Sequence, residues 1–453
     1  MLTIIGATAI LIDETTETAG DLDVAGEGTL DASGCVVTPG LVNAHHHLLQ
    51  SAFRTLPGTR GVAMRDWLPT MAAAYARAGV DAELASVAAS VGVAEGLLSG
   101  VTTVADHHLT WPSGADTVSI ARATADAARA LGGRLVFVRG SARDDPQEAA
   151  LSAEAIVGAL LGAEGAEFAE FAELADIDAK TDTRGSIPAN SAKIGGAGDR
   201  RGVTRDGMLQ LAVGPAGVHS DSRETFELLG EVAAKHGLRR RTQSNEQVDT
   251  EIALEKYGRR PIDLLEEWGW LAPDVTLAHL CDVTPDEIVR LAAAGISATH
   301  APGCDLPMGW GIAPVAELLA AGIRVGLGTS GGGSNDAGHL LADARLAMQV
   351  APLVGRPLAA REVLSMATAG SAAGLGRAEL GHLRPGSAAD LCVWDVSGVA
   401  DAGVADPIAG LLWANPGRRP KHVVVNGQVV VRDYELVNAD ERELVARLRE
   451  RLR

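Results

Sequence analysis

Three histidines close a short apolar run, Pro39-Gly40-Leu41-Val42-Asn43-Ala44-His45-His46-His47. Leu41 and Val42 read as the start of a buried parallel strand, in which apolar residues run without alternation. Side chains alternate along a strand, so His45 and His47 point one way and His46 the other. Two imidazoles on one face at a strand's C-terminal end can grip one divalent metal, and zinc is the usual partner of nitrogen ligands. An HxH alone is a weak signal, with a chance histidine run or a capped strand end as the plain alternative. His279 supplies a third imidazole, at the end of the run Asp274-Val275-Thr276-Leu277-Ala278. Asp106, His107 and His108 follow another apolar run.

Those residues need a scaffold that ends many strands at one place. The runs 101–105, 135–138, 209–213, 275–278, 296–299 and 325–328 read as buried strands. Helical patterns separate them. Residues 81–99 set Leu84, Val87, Ala88, Val91, Ala94 and Leu98 on one face, with Asp81 as N-cap and Gly100 beyond the end. A second helix covers 226–235 and is closed by Gly237, and Thr284-Pro285-Asp286-Glu287 is a capping box that opens a third. Strands alternating with helices predict a parallel sheet. Chemistry gathered after the strands predicts a TIM-type (β/α)8 barrel with its site at the C-terminal face.

Both ends of the chain break this rhythm. Residues 1–39 hold short β-like runs at 2–5 and 9–12, which cannot bury themselves alone. Two β-branched runs flank Asn426-Gly427, a strong hairpin signal. Residues 144–206 are rich in Ala, Gly and Glu. A helix with a weak apolar face is expected over 149–174, and no periodicity is visible over 176–207. So long an unpatterned stretch reads as a disordered insertion, with a lid over the site as the other reading.

Composition narrows the function. A chain of 453 residues accommodates one large barrel and a smaller companion unit. The net charge of −19 disfavours nucleic acid and anionic membranes as partners. No apolar stretch reaches membrane-spanning length, and the start is soon acidic, as a strand would be and a signal peptide would not. Cys35, Cys281, Cys304 and Cys392 form no CxxC pair, so reduced thiols in a cytoplasmic protein are expected.

The run TPGLVNAHHHLLQSAFR resembles the first barrel strand of the amidohydrolase superfamily of metal-dependent hydrolases, in the branch of 8-oxoguanine deaminase and the triazine hydrolases. GHLRPGSAADLCVWD matches that family's C-terminal pattern, and APGCDLPMGWGIAP and GGGSNDAGHLL look like the same branch. The resemblance covers residues 1–143 and 207–453. It implies a small β-sandwich built from both termini (1–39 and 377–453) around a metal-dependent barrel (40–376). It also implies His45, His47 and His279 as metal ligands, Asp106, His107 and His108 at the mouth of the site with one of them behind a ligand, and a homodimer, the common state of family members.

Two strand ends depart from the family. The fifth family strand ends His-x-His-x-x-Glu, whose second His binds metal and whose Glu moves protons. Here the stretch is Arg241-Thr242-Gln243-Ser244-Asn245-Glu246, with Glu246 in place and Gln243 at the ligand position. A Gln carbonyl oxygen is a poor zinc ligand, and Arg241 adds a permanent cation on the same face. Zinc is therefore expected to be weakly held, with Fe2+ as another candidate. At the eighth strand Ser330 replaces the usual aspartate, as a hydroxyl residue does in the triazine hydrolases, leaving Glu246 to do the proton work. Gln50 stands where 8-oxoguanine deaminase has a substrate-binding glutamine. Trp67, Met308 and Trp310 could wall a flat ring, and ordinary packing is the equal alternative for all four. His300 and Asn335 complete the expected substrate-binding set.

The resemblance implies a zinc-dependent hydrolase that removes an amino or halide group from an electron-poor, purine-, pterin- or triazine-like small molecule. The other reading is a metal-poor relic or binding protein of the same fold, favoured by Gln243 and Arg241.

Overall fold

The computed structural model describes residues 1–178 and 202–453. Eight parallel strands run in chain order: Leu41–His47, Val101–His108, Arg134–Ser141, Leu209–Pro215, Arg239–Ser244, Val275–His279, Ser297–His300 and Arg324–Leu327. Each pairs with the next. After Gly328 and Thr329 the chain makes one more short strand, in which Ser330 pairs with His46 and Gly331 with His47. That pairing joins the end of the eighth strand to the first and closes the sheet into a barrel.

Burial explains why these segments are strands. Every residue of the first three is buried, as expected for a sheet covered on both faces. Alternate side chains still go to different cores. Leu135 and Phe137 face the helices and share a core with Ala121, Phe226 and Leu229. Val136 and Val138 face the barrel interior with Val42, Ala105 and Ala212. Ala372, Leu375 and Leu380 fill the interior's lower end. Hydrogen bonds from Gln210 to the Leu375 carbonyl (2.9 Å) and from Thr276 to the Gly374 carbonyl (2.7 Å) fix that floor at the N-terminal ends of the strands. With the bottom filled, the C-terminal ends are where barrel side chains can face open space.

The helix signals are realised at the side-chain level. Asp81 caps Ala82–Leu98 by accepting from the Leu84 amide, Gly237 closes Arg223–His236, and Thr284 and Glu287 form a reciprocal capping box. The expected single apolar face of the first of these helices is a correction. Ala85, Ala89, Val93 and Leu97 are buried there too, because neighbours cover the helix on several sides. The weakly patterned helix spans Pro146–Asp178. Of the remaining irregular segment, residues 179–201 lie outside the described residues, and so does the expectation of an insertion or lid.

Both termini share one eight-stranded mixed sheet. Leu391–Asp395 lies antiparallel to Cys35–Pro39 and ties the two ends together. The two expected N-terminal runs are one continuous strand, Leu2–Leu11, with irregular register around Ala7. The Asn426-Gly427 hairpin has both turn residues at positive φ, 51° and 76°, which matches the right-handed twist of its strands. Arg134 links this sheet to the barrel. Its guanidinium meets both Asp390 oxygens at 2.7 and 3.0 Å and the Asn426 side chain at 3.1 Å. Among the described residues no helix is long and apolar enough to cross a membrane.

Candidate active site

The first strand places its histidines as the alternation requires. The His45 and His47 rings lie 4.9 Å apart, and His279 approaches His45 to 5.2 Å. His46 points the other way, its Nδ1 2.9 Å from the Thr329 hydroxyl. Hydrogen bonds on the outer nitrogens leave Nε2 as the inward nitrogen. His47 Nδ1 is 2.7 Å from the His107 carbonyl, and His279 Nδ1 is 2.6 Å from Asp305 Oδ1. The His45 Nε2 atom is buried without a partner. Burial drives His47 down to about 4 and His107 to about 3, and holds His45 well below its ordinary value. These imidazoles are neutral and present lone pairs. His279 differs: burial pulls it down, but the Asp305 carboxylate, helped by Glu246, holds it above its ordinary value.

The fifth strand brings its polar residues to the same point. Gln243 Oε1 lies 3.1 Å from His279 Nε2, while its amide nitrogen donates to the Ala216 carbonyl at 3.3 Å. Glu246 is fully buried, 3.5 Å from His279 Nε2, and neither carboxylate oxygen has a hydrogen-bond partner. Burial raises its carboxyl to about 7. Arg241 is also buried; one guanidinium nitrogen donates to the Ala44 carbonyl and Nη1 has no partner. Burial, then the nearby Arg239 cation, lowers Arg241 to about 9, and its charge in turn bears on His45 and His107. Buried acceptors that converge without donors require a proton or a cation between them. The orphaned His45 nitrogen and Glu246 oxygens are atoms that such a cation would meet, and beside them the ligand atoms of His279, Cys304 and Asp305 lie within 4.8 Å of one another.

A cavity of about 490 Å³ opens above this cluster. Trp67, Met71, Trp111, Met308 and Trp310 supply apolar walls, while His47, Gln50, Gln243 and Ser330 supply polar edges. Trp310 stands edge-on to His279 at 5.1 Å. The Trp67 indole nitrogen donates to the Gly333 carbonyl at 3.0 Å, and Gln50 Oε1 accepts from the Gly333 amide at 2.9 Å. Gly333 has no room for a side chain, since an added Cβ would sit 2.6 Å from the Met71 methyl. Ser330 keeps a left-handed backbone, φ 54°, and His279 does so at 76°. Such strain is held where a side chain must be aimed.

His300 and Asn335 lie outside the cavity wall. His300 Nδ1 is 3.7 Å from Asp305, and the Asn335 amide donates to the Thr329 carbonyl (2.9 Å) and to Asp343 (3.1 Å). Asp106, His107 and His108 line the mouth as expected. Sequence reasoning missed Asp305, the partner of His279, and His219, which also lines the cavity. His219 had a legible signal, since it follows the fourth strand as the other site histidines follow theirs. Asp305 had none, because its contact crosses between two strand-end loops.

The model of the amidohydrolase family matches residues 36–430, and the chain belongs to that family. It is a hydrolase of the class acting on carbon–nitrogen and carbon–halide bonds. It is 34% identical over 423 residues to 8-oxoguanine deaminase of Pseudomonas aeruginosa, a match covering 92% of this chain and 87% of that protein. It is 31% identical over 439 residues to isoxanthopterin deaminase of an unknown prokaryotic organism, covering 92% and 85%. Among solved structures, atrazine chlorohydrolase from Arthrobacter aurescens TC1, complexed with zinc, superposes with a TM-score of 0.84 at 33% identity over 100% of both chains.

Proposed function

We propose that this chain hydrolyses an electron-poor nitrogen heteroaromatic ring of purine, pterin or triazine type, releasing ammonia, an amine or a halide. The observation that carries the reading is the unpartnered, fully buried Glu246 carboxylate, 3.5 Å from His279 Nε2. His45, His47 and His279 would hold a divalent ion, zinc or Fe2+, with Gln243 as a weak further ligand. Such an ion supplies positive charge that acidifies water and polarises the ring. Glu246 takes the water's proton and passes it on toward the departing group; a carboxyl near 7 suits both directions. Ser330, in place of a carboxylate, leaves this work to Glu246. Trp67, Met308 and Trp310 clamp the flat ring and Gln50 reads its edge. The net charge of −19 and four free cysteines support a cytoplasmic enzyme acting on a small molecule, away from nucleic acid and membranes. A homodimer belongs to the same proposal by family analogy.

One observation favours the metal-poor alternative. Gln243 is satisfied without any ion, through Ala216 and His279. Turnover of guanine-like, pterin-like and chlorotriazine rings, measured beside metal content, separates the readings. The hydrolase reading expects zinc-dependent turnover of at least one ring, and inactivity with zinc present on every ring overturns it.

A further inference from the structure

One more polar pair faces the cavity beside the metal cluster. His219 Nδ1 lies 2.9 Å from Asp249 Oδ1, and the same oxygen accepts the His219 backbone amide at 3.1 Å. The other Asp249 oxygen accepts the Asn245 amide at 2.9 Å. A single carboxylate therefore fixes both the His219 ring and the turn that carries Glu246. The ring rests on Gly217, where a Cβ would come within 2.6 Å of Nδ1. With Nδ1 committed to Asp249, Nε2 is the nitrogen left for the cavity that His219 lines. This is the base-plus-orienter geometry of a proton-transfer histidine. Burial works against the imidazolium, but Asp249 and then Glu246 outweigh it and raise His219 above its ordinary value.

We propose that His219 is a further catalytic residue that protonates a departing amine, so that the site is built for amino-substituted rings. The inference rests on the hydrolytic reading above. In that step the water oxygen bonds to the ring carbon and one water proton passes to Glu246. The carbon–nitrogen bond then breaks, and the nitrogen leaves with its bonding pair and the proton from His219 Nε2. Transfer of the Glu246 proton to His219 restores both groups. Net, ring–NH2 and water give ring–OH and ammonia. An amide anion is too basic to leave unprotonated, whereas chloride leaves without a proton. His219 thus divides the two leaving-group classes.

The test uses the zinc-supplemented full chain, with His219→Gln and, independently, Asp249→Asn. Each is assayed on a chloro- and an amino-substituted triazine and on a series of alkylamino-triazines of rising amine basicity. The expected kcat loss for His219→Gln is about 100-fold on the amino ring and under about threefold on the chloro ring. Its rate should also fall with amine basicity, where the native rate stays flat. Asp249→Asn should show the same selectivity more weakly. Equal losses on both rings, no loss on the amino ring, or native turnover of the chloro ring alone overturns the role of His219. A native chain that turns over no ring overturns the hydrolytic reading and this inference with it, and the native assay tells the two failures apart.

Discussion

Asp305 Oδ1 accepts from His279 Nδ1 at 2.6 Å, and this bond decides which nitrogen of His279 faces the site. The carboxylate fixes the tautomer and makes the inward Nε2 a stronger ligand. Asp305→Asn keeps the shape but removes the charge. We expect zinc affinity to fall roughly 10–100-fold, with folding retained. Competition against a chromogenic chelator measures this. Unchanged affinity would show that His279 is not a ligand, or that its orientation is set by packing against Trp310.

Glu246 accepts no hydrogen bond, so its loss should be felt in chemistry and little in folding. Glu246→Gln removes a buried carboxylate that no hydrogen bond stabilises. We expect turnover to fall by about 10²–10⁴-fold, with metal content unchanged and thermal stability equal or higher. Native-level activity in this variant on any accepted ring would sink the assignment.

Much of this was legible in the residues because local rules carried it. The strand period separates His45 and His47 from His46, and Asp81, Thr284 and Gly237 are cap signals that need no tertiary information. The cavity walls were legible only in part. Trp67, Met308 and Trp310 do line it, yet Met71 and Trp111 do so as well, and their spacing is that of ordinary core residues. His300 and Asn335 look like site residues by position after a strand, but Asn335 spends its side-chain amide on Thr329 and Asp343, and His300 lies off the cavity wall with Nδ1 3.7 Å from Asp305 and no hydrogen-bond partner. Sequence adjacency to a strand end gives the height in the barrel; the loop path decides whether a side chain turns inward. The Asp305–His279 and Asp249–His219 bonds join residues 26 and 30 positions apart, and no local pattern reports such pairs.

The Arg134–Asp390 pair tests the join between the barrel and the terminal sheet. Both side chains are nearly fully buried, at 2% and 3% exposure. Asp390→Ala leaves the guanidinium buried without its counter-charge and strips a partner from the Asn426 amide. The expected loss is about 3–5 kcal/mol. Chemical denaturation should read it, while zinc affinity in the native baseline stays unchanged. A loss under about 1 kcal/mol would mean that solvent reaches Arg134 and takes over its solvation.

The last prediction concerns the two residues that depart from the family. Gln243 offers a neutral oxygen where an imidazole would bind more strongly, and Arg241 places a buried cation near His45. A unit charge within about 6 Å of a dication, at an effective dielectric near 20, opposes binding by on the order of several kcal/mol. Native zinc should therefore be lost on exhaustive dialysis, and Arg241→His with Gln243→His should retain it. The double variant also leaves the Ala44 carbonyl without its donor, a cost of about 1–3 kcal/mol, so a lower thermal midpoint without zinc and a larger rise on adding zinc are expected. Full stoichiometric zinc in the dialysed native protein would show that three imidazoles suffice and that Arg241 is screened. A rise in hydrolytic rate confined to the double variant would show that the native chain lost its chemistry at these two positions. Equal rates in both would make Gln243 a working ligand or a dispensable one.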